Sequence, residues 1–166
     1  MPLSLAPDRR IDPAVRIRPI RDDDGPRLVA FHGRLSAEAV YNRFFAVHPA
    51  LSLGEVEHFT HVDGHTRFAV VATIDSRIVA VARLERLPDS ADAEVAFVVA
   101  DEHQARGLGT ELLEQLVTAA VPLGITHFVA DTLFSNTAML RVFRRHVDVR
   151  QTASDGVVHV RFPISA

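Results

Sequence analysis

Glycines 107 and 109 lie within Gln104-Ala105-Arg106-Gly107-Leu108-Gly109-Thr110, between an apolar run ending at Ala100 and an amphipathic stretch from Leu112 onward. No other segment constrains the fold as strongly, because it requires a strand, a tight loop and a helix in that order. Glycine lets the backbone approach a ligand and turn its N–H groups inward, while the following helix presents the positive end of its dipole. An anion site at a strand-to-helix junction is therefore expected.

Spacing separates the glycine loops that could build such a site. An ATPase phosphate loop needs G-x-x-x-x-G-K-[ST], with a lysine for the phosphates and a hydroxyl for magnesium, and nothing here matches it. A dinucleotide fold needs G-x-G-x-x-G directly after a strand. Gly107 and Gly109 supply two of the three glycines, Leu112 stands at the third, and Asp101 to Arg106 separate the strand from the loop. Asp131 only loosely mimics the ribose-binding acid of that fold. The remaining pattern is Gln-x-x-Gly-x-Gly.

At 166 residues, with 48% hydrophobic and 23% charged residues, the chain has the size and composition of a single-domain soluble enzyme. It contains no cysteine, which excludes disulfides, thiolate metal sites and a cysteine nucleophile, and a reducing cytoplasm is the expected compartment. A formal charge of -3 argues against nucleic-acid binding, which needs a basic surface. The longest apolar runs, Phe68 to Thr73 and Val95 to Ala100, are far shorter than a membrane span. Met1 to Pro13 carries three prolines and Arg9-Arg10 without a secretion-signal core, and reads as a flexible tail ahead of one domain, 14–166.

Periodicity orders the rest. Val15 to Ile20 reads as a strand, Asp22-Asp23-Asp24 as caps for a helix through about Leu35, and Ser36 as the cap of a second helix stopped by Pro49. A short third helix spans Leu53 to Thr60. Arg67 to Ile74 and Ile78 to Leu87 form a hairpin about Asp75-Ser76-Arg77, followed by a strand over Ala93 to Ala100. After the loop, Leu112, Leu113, Leu116, Val117, Ala120 and Val121 make one apolar helical stripe, ended by Pro122 and Gly124. Thr126 to Leu133 is a strand parallel to the one before the loop, and Asn136 to His146 the last helix. Two final strands, near Val147 to Thr152 and Val157 to Phe162, flank Asp155-Gly156. The fold class is mixed α/β, with about seven strands and four to five helices.

The strand ending Phe97-Val98-Val99, the connector Asp101-Glu102-His103, the loop, its helix, the next strand and Asn136 together resemble the coenzyme A-binding half of GNAT acetyltransferases. About half the chain carries this resemblance. It implies acetyl-CoA as cosubstrate and no metal. It places the pyrophosphate on backbone amides of Ala105, Arg106, Gly107, Leu108, Gly109 and Thr110, with Arg106 adding charge near a phosphate and Gln104 counted among the cofactor-binding residues. The peptide-like pantetheine arm pairs with the backbone of Phe97, Val98 and Val99, and Asn136 bonds the cofactor, caps a helix, or does both.

Acetyl transfer to an amine requires the neutral nitrogen, and a free lysine titrates near ~10.4, so a base must take a proton. Glu94, the one acid in its apolar strand, corresponds to a glutamate used as base in many GNAT enzymes; Glu85 on the neighbouring strand is the reserve. An N–H near Val98 or Val99 would stabilise the oxyanion. Seven residues beyond the asparagine, many relatives carry a tyrosine that protonates the leaving thiolate; here that position is Phe143, leaving water or Ser135. Val147-Asp148-Val149 also departs from a common Leu-Gly-Phe turn.

Arg18-Pro19-Ile20-Arg21 and Ser36 to Phe45 resemble bacterial protein lysine acetyltransferases of the Pat type. That resemblance implies a protein lysine acceptor, with acyl-CoA synthetases among the targets known in the family. Pat proteins often carry a regulatory domain that binds cyclic AMP or amino acids. A chain of 166 residues has no room for one, so such regulation is not expected to carry over. His58, His61 and His65 share a helical spacing but lack a carboxylate or fourth ligand, so zinc is not expected. A small-molecule amine acetyltransferase and a catalytically silent acyl-CoA sensor stay open as alternatives, and the sequence gives no oligomeric state.

Overall fold

The computed structural model describes residues 11–146 and 148–165. In chain order the elements are β1 (Arg16–Pro19), α1 (Gly25–Arg34), α2 (Ala37–Phe44), α3 (Leu53–Thr60), β2 (Arg67–Ile74), β3 (Arg77–Arg86) and β4 (Asp92–Val99). They continue with α4 (Leu108–Ala120), β5 (His127–Leu133), α5 (Thr137–Arg144), β6 (Arg150–Ser154) and β7 (Val157–Pro163). Side-chain caps set several helix starts. Ser36 Oγ accepts from Ala39 N–H at 3.1 Å to open α2, and Ser52 and Glu55 cap α3 reciprocally. Pro26 lies in the first turn of α1, where its missing N–H has no partner to lose.

The seven strands form one sheet in the order β1-β2-β3-β4-β5-β7-β6. Every neighbouring pair is antiparallel except β4 and β5, which α4 joins by a crossover, as a parallel pair requires. Strand alternation gives the sheet two buried faces. Ala93 and Val95 of β4 join Leu112, Leu113 and Leu116 of α4, Leu140 and Phe143 of α5, and Phe128 and Phe162 in the larger core. Val98 turns to the opposite face, toward Leu28 and Phe31 of α1 and Val71 and Val81 of the hairpin.

Several boundaries differ from the sequence reading. The second helix was expected to run to Pro49 but ends at Phe44, because Phe45 takes a left-handed conformation (φ 57°) and its N–H closes onto Tyr41 O. The reversed chain then stacks His48 on Phe44, ring centroids 4.3 Å apart, and brings His48 O within 2.7 Å of His32 Nε2. The last helix starts one residue after Asn136, which is its cap, and stops at Arg144. Asp148 has φ 55°, and β6 begins at Arg150 rather than near Val147, which itself lies outside the described residues. Residues 1–10 of the expected tail also lie outside them. Asp12 closes a turn onto Val15 N–H at 2.9 Å.

Candidate active site

β4 and β5 pair at only three positions, Asp92 with His127, Ala93 with Phe128 and Glu94 with Val129, although β4 continues to Val99 and β5 to Leu133. Beyond Glu94 the strands part. Ala100 N–H donates to Val79 O at 2.9 Å, which fixes the antiparallel alternation: even-numbered β4 residues bond β3, while the backbone groups of Val95, Phe97 and Val99 face the gap. Of the two amides considered for an oxyanion, Val99 therefore points into the gap and Val98 toward β3. Val98 instead contributes its side chain to a recess on the α1 side.

The gap opens into a cleft of about 280 Å³, lined by Phe97, Val98 and Val99, by Gln104, Ala105, Gly107, Leu108, Gly109 and Thr110, and by Asn136. Arg106 is not among the lining residues. The loop's shape comes from two positive φ angles, 58° at Ala105 and 83° at Gly107, which alternate the backbone's hand and turn successive N–H groups to one side. Glycine suits the second position; at the first, alanine accepts a conformation it rarely adopts. Gly109 is different: a Cβ there would meet only Val142 Cγ2 at 3.6 Å, an ordinary contact. Its lack of a side chain widens the cleft without relieving any internal clash.

Neighbouring groups hold the loop in place. Gln104 Nε2 donates to Val99 O at 3.0 Å, so that side chain ties the loop to the end of β4. Asp101 accepts from Ser36 Oγ at 2.9 Å and Ser36 N–H at 3.2 Å, which anchors the start of α2 beside the cleft. Asn136 Oδ1 accepts from Met139 N–H at 3.3 Å, so the asparagine caps α5 while lining the cleft. Arg141 and Arg145, two cations that the sequence reading missed, also line the cleft. Their i, i+4 spacing, one turn from Asn136, was the available signal.

A slot of about 30 Å³ leads inward between the parted strands, lined by Arg43, Val95, Ala96, Phe97, Asp131 and Phe143 among others. Phe143 is 1% exposed, with ring centroids 5.9 Å from Phe97 and 5.7 Å from Phe162, and is part of the core. Asp131 pairs across the sheet with His159 and is hydrogen-bonded to it. Neither received a role from the sequence. Glu94 is exposed on the opposite face of the sheet from α4, directly across from Glu85. The three helix-spaced histidines do not converge: His58 accepts from Arg67, and His61 pairs with Asp22 and Thr60. Among the described residues, no group of three or more His, Cys, Asp or Glu could hold a metal ion. No described helix is long and apolar enough to cross a membrane.

The family profile described as Acetyltransferase (GNAT) family matches residues 35–147, which include α2, the loop, the cleft and all of α5. The chain belongs to the GNAT acetyltransferase family. Among solved structures, the GNAT domain of S. lividans PAT is 39% identical, with a TM-score of 0.84 and 90% coverage of each chain. Acetyltransferase Pat of Mycolicibacterium smegmatis is 34% identical over 133 residues, 78% of this GNAT chain but 39% of that protein. A cAMP-binding acyltransferase from Mycobacterium smegmatis gives a TM-score of 0.65 at 26% identity, and this chain spans 44% of it. The likeness to both mycobacterial proteins thus covers less than half of each.

Proposed function

We propose that this GNAT chain is an N-acetyltransferase that moves an acetyl group from acetyl-CoA to a primary amine, most specifically a protein lysine. The observation that carries the reading is the parting of β4 from β5 after Glu94. It frees the backbone of Phe97 and Val99 to pair with the peptide-like pantetheine arm, in line with loop amides that suit a pyrophosphate. Arg141 and Arg145 add positive charge to the lining of the cleft. The likeness to Pat proteins supports a protein lysine over a small amine.

In this mechanism Glu94 accepts a proton from the acceptor ammonium, leaving the neutral nitrogen to attack the thioester carbon. The C–N bond forms as the carbonyl oxygen gains charge, which the gap-facing N–H of Val99 or Phe97 stabilises. The C–S bond then breaks, the attacking nitrogen gives up its second proton to water, and the thiolate takes a proton from water in turn, because Phe143 has none to give. With a thiol pKa near ~8.5 this leaving group needs little help. Coenzyme A release in the presence of acetyl-CoA and a panel of proteins and amines, with acetyl-lysine mapping by mass spectrometry, tests the reading. Lysine acetylation supports it, turnover with small amines alone replaces the acceptor, and donor binding without any turnover indicates a sensor.

A further inference from the structure

We propose that Arg43 and Arg83 form a carboxylate-binding subsite that selects acceptor lysines flanked by an acidic residue. The inference rests on the acetyltransferase reading of the cleft and adds the chemical class of its acceptor.

The two side chains reach one recess from different elements, Arg43 from the last turn of α2 and Arg83 from β3, opposite Ala96. Arg83 Cζ lies 4.1 Å from the Phe59 ring centroid and Arg43 Cζ 5.8 Å from the same ring, with Phe44 4.9 Å from Arg43. Both cations are half-buried and held by aromatic faces. Among the described residues, neither donates a hydrogen bond or lies within ion-pair distance of a carboxylate. The other half-buried arginines behave differently: Arg18 binds Asp24, Arg67 binds His58 O, Arg86 binds Leu123 O, and Arg161 binds Asp92. The N–H donors of both guanidiniums, five each, thus lack a protein acceptor among the described residues. Burial and the Arg43 charge push Arg83 down to about 9, against the opposing pull of Glu85.

Position links the pair to the reaction. Arg43 lines the recess and also the slot between the parted strands, so it stands where donor and acceptor would meet. Glu94 and Glu85 on the same face draw in an acceptor that brings only its ammonium, but leave the guanidinium donors unbonded. One that brings a carboxylate as well can place the amine toward Glu94 and the acid on the guanidinium forks, a geometry arginine favours. The recess, about 30 Å³, has room for a group of that size.

The test compares kcat/KM for matched lysine peptides with Asp or Asn beside the lysine, and for free lysine, whose own α-carboxylate is the other source of this chemistry. Wild type should favour the Asp peptide by about tenfold or more, as loss of a charge-assisted bond implies. Arg83→Met should reduce that preference to near unity through KM, with acetyl-CoA affinity by calorimetry unchanged. Efficient use of free lysine with no peptide preference would replace the flanking acid by the α-carboxylate and overturn the peptide form of the proposal. Equal rates on Asp and Asn peptides in wild type, a comparison needing no variant, would overturn it and leave the transferase reading intact. A preference that survives in Arg83→Met and Arg43→Met, or wild-type use of an acidic acyl donor that those variants lose, would also overturn it. Absence of coenzyme A release with every acceptor removes the transferase reading and this inference together.

Discussion

Glu94 and Glu85 stand directly opposite each other on neighbouring antiparallel strands, two carboxylates on one face of the sheet. Like charges so placed repel unless cations offset them, and Arg43 lies close enough to feel both. Only Glu94 borders β5 at the point where the strands part. Glu94→Gln should therefore lower kcat by about 10²-fold or more, the contribution typical of a general base. Glu85→Gln should change kcat far less. Steady-state rates across pH decide this, with Asp131→Asn as a control: a larger loss there would move the base to the Asp131–His159 pair.

The two glycines of the loop should respond differently to alanine. Gly107→Ala forces a side chain into a left-handed conformation and should reduce stability by about 1 kcal/mol. Gly109→Ala meets only an ordinary contact and improves helix propensity, so stability should hold or rise by up to about 1 kcal/mol. Its methyl group nevertheless narrows the cleft, and acetyl-CoA affinity should fall. Thermal melts paired with calorimetry separate these outcomes.

Asn136 has two separable tasks. Asn136→Ala removes the cap of α5 and should cost about 1 kcal/mol of stability, whereas Asn136→Ser keeps a capping oxygen. If the amide also binds the donor, Asn136→Ser should weaken acetyl-CoA binding at near-normal stability. Unchanged affinity in that variant would leave the asparagine as a cap alone.

Asp24 is fully buried, accepting from Arg18 at 2.7 and 2.8 Å and from Arg21 N–H at 2.8 Å. Burial alone would raise its pKa, but the hydrogen bonds from Arg18 and Arg21 outweigh burial and hold it below the ordinary carboxylate value. A group depressed on folding contributes stability that is present above its unfolded pKa and lost as pH falls through the folded one. Unfolding midpoints should drop below about pH 4. Asp24→Asn should remove part of that dependence and lower stability at neutral pH by about 3 kcal/mol.

The loop was legible because its requirements are local: two glycines, a strand before and a helix after. Ser36 and Leu53–Thr60 were legible for similar reasons, caps and periodicity within a few residues. What escaped the sequence depends on distant partners. The early end of α2 comes with the left-handed Phe45, after which the reversed chain packs His48 on Phe44. Parting of the strands at Glu94 is a property of the sheet, as is the insertion of β7 between β5 and β6. Ala105 gave no sign of its positive φ because alanine rarely adopts one. Arg43 and Arg83 are separated by two elements in sequence, α3 and β2, and both reach the ring of Phe59.

Calorimetric titration of the chain with acetyl-CoA tests the central claim most directly. A saturable, one-to-one association, weakened in Gly109→Ala without loss of folding, is the predicted result. No binding of acetyl-CoA by folded protein, or equal affinity in the two proteins, would contradict the assignment of the β4–β5 cleft as the donor site.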